Sequence, residues 1–190
     1  MKAETLHIRN MCCQRCIEAV TDELESLGLT LGSVKLGAAS YTPSDKITLS
    51  QLESVLNKRG FELIKSKEEI LVEKIKTATL DLVHRLAEME KTDFVFSSYL
   101  EEQTKVSYRT LSKIFSQHKH LTIEKYFILL KIEKTKDLIE NSNLQFSDIA
   151  YAMGYKSHQH LSAQFKRVTG MTMHDYKKSG KKMRKRMETI

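Results

Sequence analysis

A repeat at a fixed offset of fifty residues constrains this chain more than any other feature. Residues 146–176, FSDIAYAMGYKSHQHLSAQFKRVTGMTMHDY, align without a gap on residues 96–126, FSSYLEEQTKVSYRTLSKIFSQHKHLTIEKY. The matched pairs are Phe96/Phe146, Ser97/Ser147, Ser107/Ser157, Leu111/Leu161, Ser112/Ser162, Phe115/Phe165, Thr122/Thr172 and Tyr126/Tyr176. A repeat of this kind signals one supersecondary unit made twice. In the second copy, Phe146, Ile149, Ala150 and Met153 make a short apolar helix that Gly154 stops. Ser157 then caps a new helix carrying Leu161, Phe165 and Val168, and Gly170 ends it. The first copy repeats this with Ser107 as cap and Leu111, Ile114 and Phe115 buried, but with His120 where a glycine is expected.

A short helix, a tight turn and a second helix make a helix-turn-helix. The small Ala150 lets the two helices cross closely. Between the copies, residues 123–141 read as one helix, with Phe127, Leu130, Ile132, Leu138 and Ile139 offered to a core. Such a helix is about 28 Å long. As a spacer it sets the two second helices about one duplex turn apart, where roughly 34 Å is required.

Residues 1–66 read as a small α+β unit. Leu6 and Ile8 alternate with His7 and Arg9, a half-buried strand. Ile17, Val20, Leu24 and Leu27 form one helical stripe that Gly28 closes. Residues 31–41 read as one extended segment with Gly37 as a bulge or bend, too short for two full strands. Thr48 and Gln51 have capping-box spacing, followed by Leu52, Val55 and Leu56, with Gly60 as the stop and residues 61–64 as a last strand. The order is that of a ferredoxin-like split βαβ fold, βαββαβ in type. Residues 67–90 then read as a connecting amphipathic helix with Leu71, Ile75, Leu82 and Leu86 near one face, broken at Lys91-Thr92-Asp93. Its apolar stripe spans barely three heptads, so packing onto the helical half is expected rather than a dimerising coil.

The fold class expected is therefore α+β: a small N-terminal domain over 1–66, and an all-α domain over 67–190 with two helix-turn-helix units and a basic tail at 177–190. The residues that carry chemistry in the first domain are Met11-Cys12-Cys13-Gln14-Arg15-Cys16. Cys13 and Cys16 form a C-x-x-C at a helix entry, where orphan amides and the helix dipole favour thiolate. Two thiolates so placed suit a soft ion such as Cu(I) in linear or trigonal coordination. Here the domain resembles a heavy-metal-associated domain of the copper-chaperone type, through that loop and Gly60-Phe61. It departs at Asn10, which replaces the loop glycine, and at Cys12, an extra thiol without a family counterpart. The resemblance implies a domain that senses a soft metal ion, Cu(I) or Zn(II), or thiol redox state through Cys13 and Cys16.

The helical half resembles the DNA-binding domain of the AraC/XylS family of transcription regulators. The matching residues are Ile149, Ala150, Gly154, Tyr155, Leu161, Phe165, Lys166, Gly170, Thr172 and Tyr176, with Met173 in place of proline and Lys177 in place of arginine. The spacer helix carries a degraded form of the family pattern at Lys131, Thr135, Leu138 and Ile139. The resemblance places base-reading side chains at Arg109, Ser112 and Lys113 of the first copy and His158, Gln159 and Ser162 of the second. Arg109 or Lys113 could read guanine and Gln159 adenine in the major groove. Lys166, Arg167 and the tail are then phosphate contacts.

Charge adds little to this. Residues 1–66 are neutral and the whole net charge of +7 lies beyond them, mostly in the tail. Basicity alone would be a weak argument for a nucleic-acid partner. No apolar run approaches the ~20 residues of a membrane helix. The start of the chain lacks an apolar signal core, and three clustered cysteines make no disulfide framework, so a reduced cytoplasmic setting is expected. No Ser/His/Asp set, phosphate loop or paired carboxylates suggest an enzyme. The reading is a sequence-specific DNA-binding transcription regulator, acting on double-stranded DNA as monomer or homodimer, with RNA polymerase left open as a second partner. The alternative is a metal-handling or thiol-redox protein that uses its helical domain for docking.

Overall fold

Alternating burial along β1 (Glu4–Arg9) turns Leu6 and Ile8 inward and leaves Thr5 exposed. This strand opens the first of two units, Met1–Thr77 and Ala78–Ile190, in a computed structural model that describes residues 3–44, 46–86 and 95–180. Helix α1 (Gln14–Ser26) buries Val20 and Leu24, and Gly28 follows its end at φ +83, in the left-handed region a side chain would resist.

The segment read as a single extended stretch is a β-hairpin. Strands β2 (Thr30–Lys35) and β3 (Ala38–Thr42) pair antiparallel, with Lys35 opposite Ala38 and only Leu36-Gly37 between them. Gly37, at φ +80, makes that two-residue connection possible, so it is the turn itself and not a bulge within a strand. The bulge lies on the other side, between Leu31 and Val34. There Ser40 fills the gap: its hydroxyl accepts the Ser33 amide at 2.7 Å. A Cβ at Gly32 would stand 2.8 Å from that oxygen, which explains the glycine.

Helix α2 (Leu49–Lys58) begins with the expected capping box, Thr48 accepting from the Gln51 amide at 3.3 Å and Gln51 from the Thr48 amide at 2.8 Å. Strand β4 (Glu62–Leu63) is two residues long. The sheet order is β2-β3-β1-β4, and every neighbouring pair is antiparallel. With two helices this is the ferredoxin-like βαββαβ arrangement. Val20, Leu24, Leu52 and Leu56 pack on Leu6, Ile8 and Ala39, with Met11, Leu29 and Phe61 at the margins.

Helix α3 (Lys67–Leu86) contains the boundary between the two units. Its expected continuation to residue 90 and the break at Lys91-Thr92-Asp93 lie outside the described residues. The second unit continues with α4 (Phe96–Thr104), α5 (Tyr108–Lys119), α6 (Ile123–Asn141), α7 (Phe146–Ala152), α8 (His158–Thr169) and α9 (Met173–Ser179). Helix α9 takes in Lys177 and Lys178, the start of the basic stretch, while residues 181–190 lie outside the described residues. Leu86 joins Ile132 and Ile139 of α6, Ile149, Ala150 and Met153 around α7, Leu161 and Phe165 of α8, and Met173 and Tyr176 of α9 in one core. Among the described residues, no helix is long and apolar enough to cross a membrane.

Candidate nucleic-acid interface

The fifty-residue repeat is a repeat of contacts. Leu111 and Leu161, and likewise Phe115 and Phe165, are fully buried. Phe115 lies 5.4 Å from the Tyr126 ring and Phe165 lies 5.5 Å from Tyr176. Thr122 caps α6 by accepting from the Lys125 amide at 3.2 Å, and Thr172 caps α9 by accepting from the Asp175 amide at 3.1 Å. The pairs Leu111/Leu161, Phe115/Phe165, Thr122/Thr172 and Tyr126/Tyr176 thus each occupy one structural role twice.

The two helix-turn-helix copies differ at their turns. In the second, Gly154 at φ +66 ends the turn out of α7, and the Ser157 hydroxyl caps α8 by accepting from the His160 amide at 3.2 Å. In the first, no glycine is present. Lys105 takes the left-handed position at φ +58 after α4, and His120 does the same at φ +52 after α5. Ser107 holds the cap position of α5 without capping it, because its hydroxyl is 3.0 Å from that of Thr110. Glu101 substitutes: its carboxylate accepts the Tyr108 amide at 2.6 Å. An acidic group there also suits the helix dipole. Tyr108 in turn donates to Glu124 at 2.5 Å, tying α5 to the start of α6. Burial first, then that bond, hold the Tyr108 phenol far above its usual range, and the same bond holds the Glu124 carboxyl low. Ile114, expected in the core, is only half-buried.

With Leu111 and Phe115 facing in, Arg109 and Lys113 of α5 are exposed and Ser112 is half-buried. On α8, His158 and Gln159 are exposed, as are Ala163, Lys166 and Arg167. Ser162 is half-buried and its hydroxyl donates to Met173 Sδ at 3.5 Å, so it faces partly into α9. Arg167 donates to Gln164, a buried side chain on the preceding turn. The His158 ring is parallel to Phe146 with centroids 6.3 Å apart, and His174 meets the same phenylalanine edge-on. Beside α8, a concavity of about 310 Å³ is lined by Phe146, His158, Ala163, Lys166 and His174. An adjoining one of about 510 Å³ is lined by Leu144, Gln145, Phe146, His174, Lys177 and Lys178. The second unit therefore presents lysines and histidines around an aromatic floor, a role for Phe146, His174 and Lys178 that the repeat pattern alone did not reveal.

Lys131, on α6, is a further residue whose role emerges only in three dimensions. Its ammonium sits 3.8 Å from the Tyr155 ring centroid and 5.2 Å from that of Phe127. Burial pulls its amine down to about 8 from 10.5. Burial also pushes the Tyr155 phenol up to about 12, with Arg167 opposing, and the Tyr155 hydroxyl has no hydrogen-bond partner among the described residues. A group whose folded pKa lies below its unfolded value disfavours folding while it is protonated, and that penalty fades as pH rises past the folded pKa. Stability is therefore expected to increase between pH 8 and 10, by at most about 3 kcal/mol. Lys131→Met should flatten that slope in pH-dependent urea melts; an unchanged slope would exclude Lys131 as its source.

In the first unit, the three thiols come together at the start of α1. Cys12 Sγ is 3.7 Å from Cys16 Sγ, and Cys13 Sγ is 3.6 Å from it. All three sulfurs lie within 4.8 Å of one another. Burial pushes the Cys13 thiol up, but hydrogen bonding from the Cys16 backbone and from the Cys16 and Cys12 side chains outweighs it, leaving the thiol below its ordinary value. Asn10 takes the place expected of glycine because it adopts φ +73, and its side-chain amide donates to the Gly60 carbonyl at 2.9 Å, fixing the loop. His7 is not part of the thiol group; burial, then the charge of Lys74, lower its pKa.

Residues 100–179 match the family model described as a helix-turn-helix domain. The HTH-type transcriptional activator RhaR of Escherichia coli strain K12 is 27% identical over 161 residues, covering 78% of this chain and 54% of that protein. RhaR of Shigella boydii is 26% identical over the same length and the same shares. The chain thus spans about half the length of the curated relatives it matches. Among solved structures, the DNA-binding domain of AdpA, in complex with a target DNA, is 19% identical, covering 56% of this chain and 91% of that one, with a TM-score of 0.47. An AraC-type regulator from Chromobacterium violaceum is 18% identical, covering 57% and 94%, also with a TM-score of 0.47. The twice-made helix pair and the family match agree on one identification: residues 100–179 of this chain are a helix-turn-helix domain, similar in sequence to that of transcription regulators.

Proposed function

We propose that the chain is a sequence-specific DNA-binding transcription regulator of AraC type whose N-terminal unit receives the signal. The observation that carries this reading is the pair of equivalent helices α5 and α8. Each is buried on one face through the same leucine and phenylalanine, and each leaves polar side chains exposed on the other. Helix α6, nineteen residues long, joins the two helix-turn-helix copies. Its length of about 28 Å approaches the spacing of successive major grooves on one side of a duplex. Arg109 and Lys113 are the cationic base-readers on α5, with the exposed His158 and Gln159 as their counterparts on α8. Lys166, Arg167, Lys177 and Lys178 are phosphate contacts that set affinity rather than sequence.

Selection from random duplexes followed by electrophoretic shift tests this. Arg109→Ala is expected to cost about 1–3 kcal/mol on the selected site and to relax preference at one base pair, whereas Lys166→Ala should weaken all duplexes alike and reduce the salt slope by about 1. Binding without any sequence preference would sink the proposal. The signal received by the first unit is read as a soft metal ion, Cu(I) or Zn(II), or thiol redox state, acting at Cys13 and Cys16. RNA polymerase is the second partner such a regulator would meet. The competing view, a metal-handling protein that docks through its helices, predicts no duplex affinity that falls steeply with salt.

A further inference from the structure

We propose that Cys12, Cys13 and Cys16 together form one three-sulfur site for a soft, low-coordinate ion, with Cu(I) as the occupant and Cys12 as a full ligand rather than a spare thiol. The proposal rests on the reading of the first unit as the sensing unit only for its regulatory meaning. The site itself stands on the geometry of the three sulfurs. Metal–thiolate bonds are about 2.3 Å long. Three sulfurs in a plane around an ion at that distance stand about 4.0 Å apart, the bond length times the square root of three. The separations of 3.7 Å and 3.6 Å, and the limit of 4.8 Å for the whole set, bracket that value. They are contacts between separate thiols, well above the ~2.05 Å of a disulfide bond.

The donor count points to the same ion. Among the described residues, no His, Asp or Glu joins these cysteines in a possible metal-binding group. Zn(II) in structural sites takes four ligands, and a fourth protein ligand is missing from the group. All-sulfur donors in low number favour Cu(I) over harder cations. The local backbone also suits an anionic cluster. Cys13 is the cap residue of α1 without a side-chain cap bond, Cys16 lies in the first turn, and that turn carries no acidic residue. Free amides and the dipole at the helix start offset the charge that three thiolates and one monovalent ion leave over. Buried Met11 on one side and the Asn10–Gly60 hydrogen bond on the other hold the loop before the ion arrives. Cys13 is exposed while Cys12 and Cys16 are half-buried, so the site is open to exchange with a carrier thiol.

The test is an anaerobic titration of the full chain with Cu(I) against a competing chelator, with X-ray absorption at the copper edge on the loaded protein. The expected result is one ion per chain with three sulfur neighbours, retained in excess Zn(II). Cys12→Ser should leave two sulfur neighbours and weaken binding at least tenfold, with Cys12→Ala as a second variant and circular dichroism confirming that both fold. Equal affinity and an unchanged sulfur number in the Cys12 variants would overturn the proposal. So would one ion per two chains, or no uptake by the wild type. Duplex affinity of the metal-free protein, measured in parallel, is independent of all three outcomes, so failure of the copper site and failure of the DNA-binding reading are separately visible.

Discussion

Phe165→Ala is expected to destabilise the second unit by about 3–5 kcal/mol, the range for removing a large aromatic ring from a core. Phe165 is fully buried between α7 and α9, meets Tyr176 edge-on at 5.5 Å, and shares its cluster with Leu161 and Met153. Urea denaturation followed by helical circular dichroism would measure the loss. Since total stabilities run at about 5–15 kcal/mol, a large part of the folded population of this unit, and with it the duplex binding proposed above, should be lost at 37 °C. The repeat sharpens the expectation: Phe115→Ala, which removes the ring packed 5.4 Å from Tyr126, should cost a comparable amount. A loss below about 1 kcal/mol for either would mean that the two copies are not equivalent in energy, only in sequence.

Glu133→Ala is expected to cost a similar amount for an electrostatic reason. Glu133 and Lys136 are both buried on α6, and the ammonium donates to the carboxylate at 2.7 Å. Removing the carboxylate leaves a buried charge without that partner, which typically costs about 3–5 kcal/mol. Replacing both, as Glu133→Leu with Lys136→Met, should recover most of the loss, because well-packed apolar side chains are often as good as a buried ion pair. Thermal melts of the single and double variants form the cycle. A double variant no better than the single would show that the pair is not the reason these two charges are tolerated. The pair also bears on the interface, since α6 sets the spacing between α5 and α8.

Much of the second unit was legible in the sequence because its signals are local. The apolar spacing of residues 146–170 names α7 and α8, Gly154 and Gly170 mark their ends, and the fifty-residue offset transfers both to α4 and α5. Helix α6 falls at the expected Ile123–Asn141, since nothing in that stretch breaks a helix and Thr122 caps it. The hairpin of residues 30–42 was less legible. Its strands are five and six residues long and carry Gly32, Ser33 and Ser40, whose roles depend on one another across the bulge. Of the two readings open at Gly37, a bulge or a bend, the structure has the bend, as the turn between β2 and β3. Ser107 is the same kind of case: its position as first residue before a helix was visible, but which oxygen caps α5 depends on Glu101, six residues earlier and across a turn.

The sequence by itself determined that the chain holds two equivalent helix pairs around a long helix, preceded by a strand–helix unit with a C-x-x-C at a helix entry. These follow from periodicity, capping residues and left-handed glycines, which act over a few residues. Tertiary structure alone decided which polar atoms meet. It brought Cys12 to within 3.7 Å of Cys16, seated the Lys131 ammonium on Tyr155, paired Glu133 with Lys136 inside the core, and set Phe146 beneath two histidines beside α8. Such contacts depend on side-chain direction and burial, and a pattern of residue types carries neither.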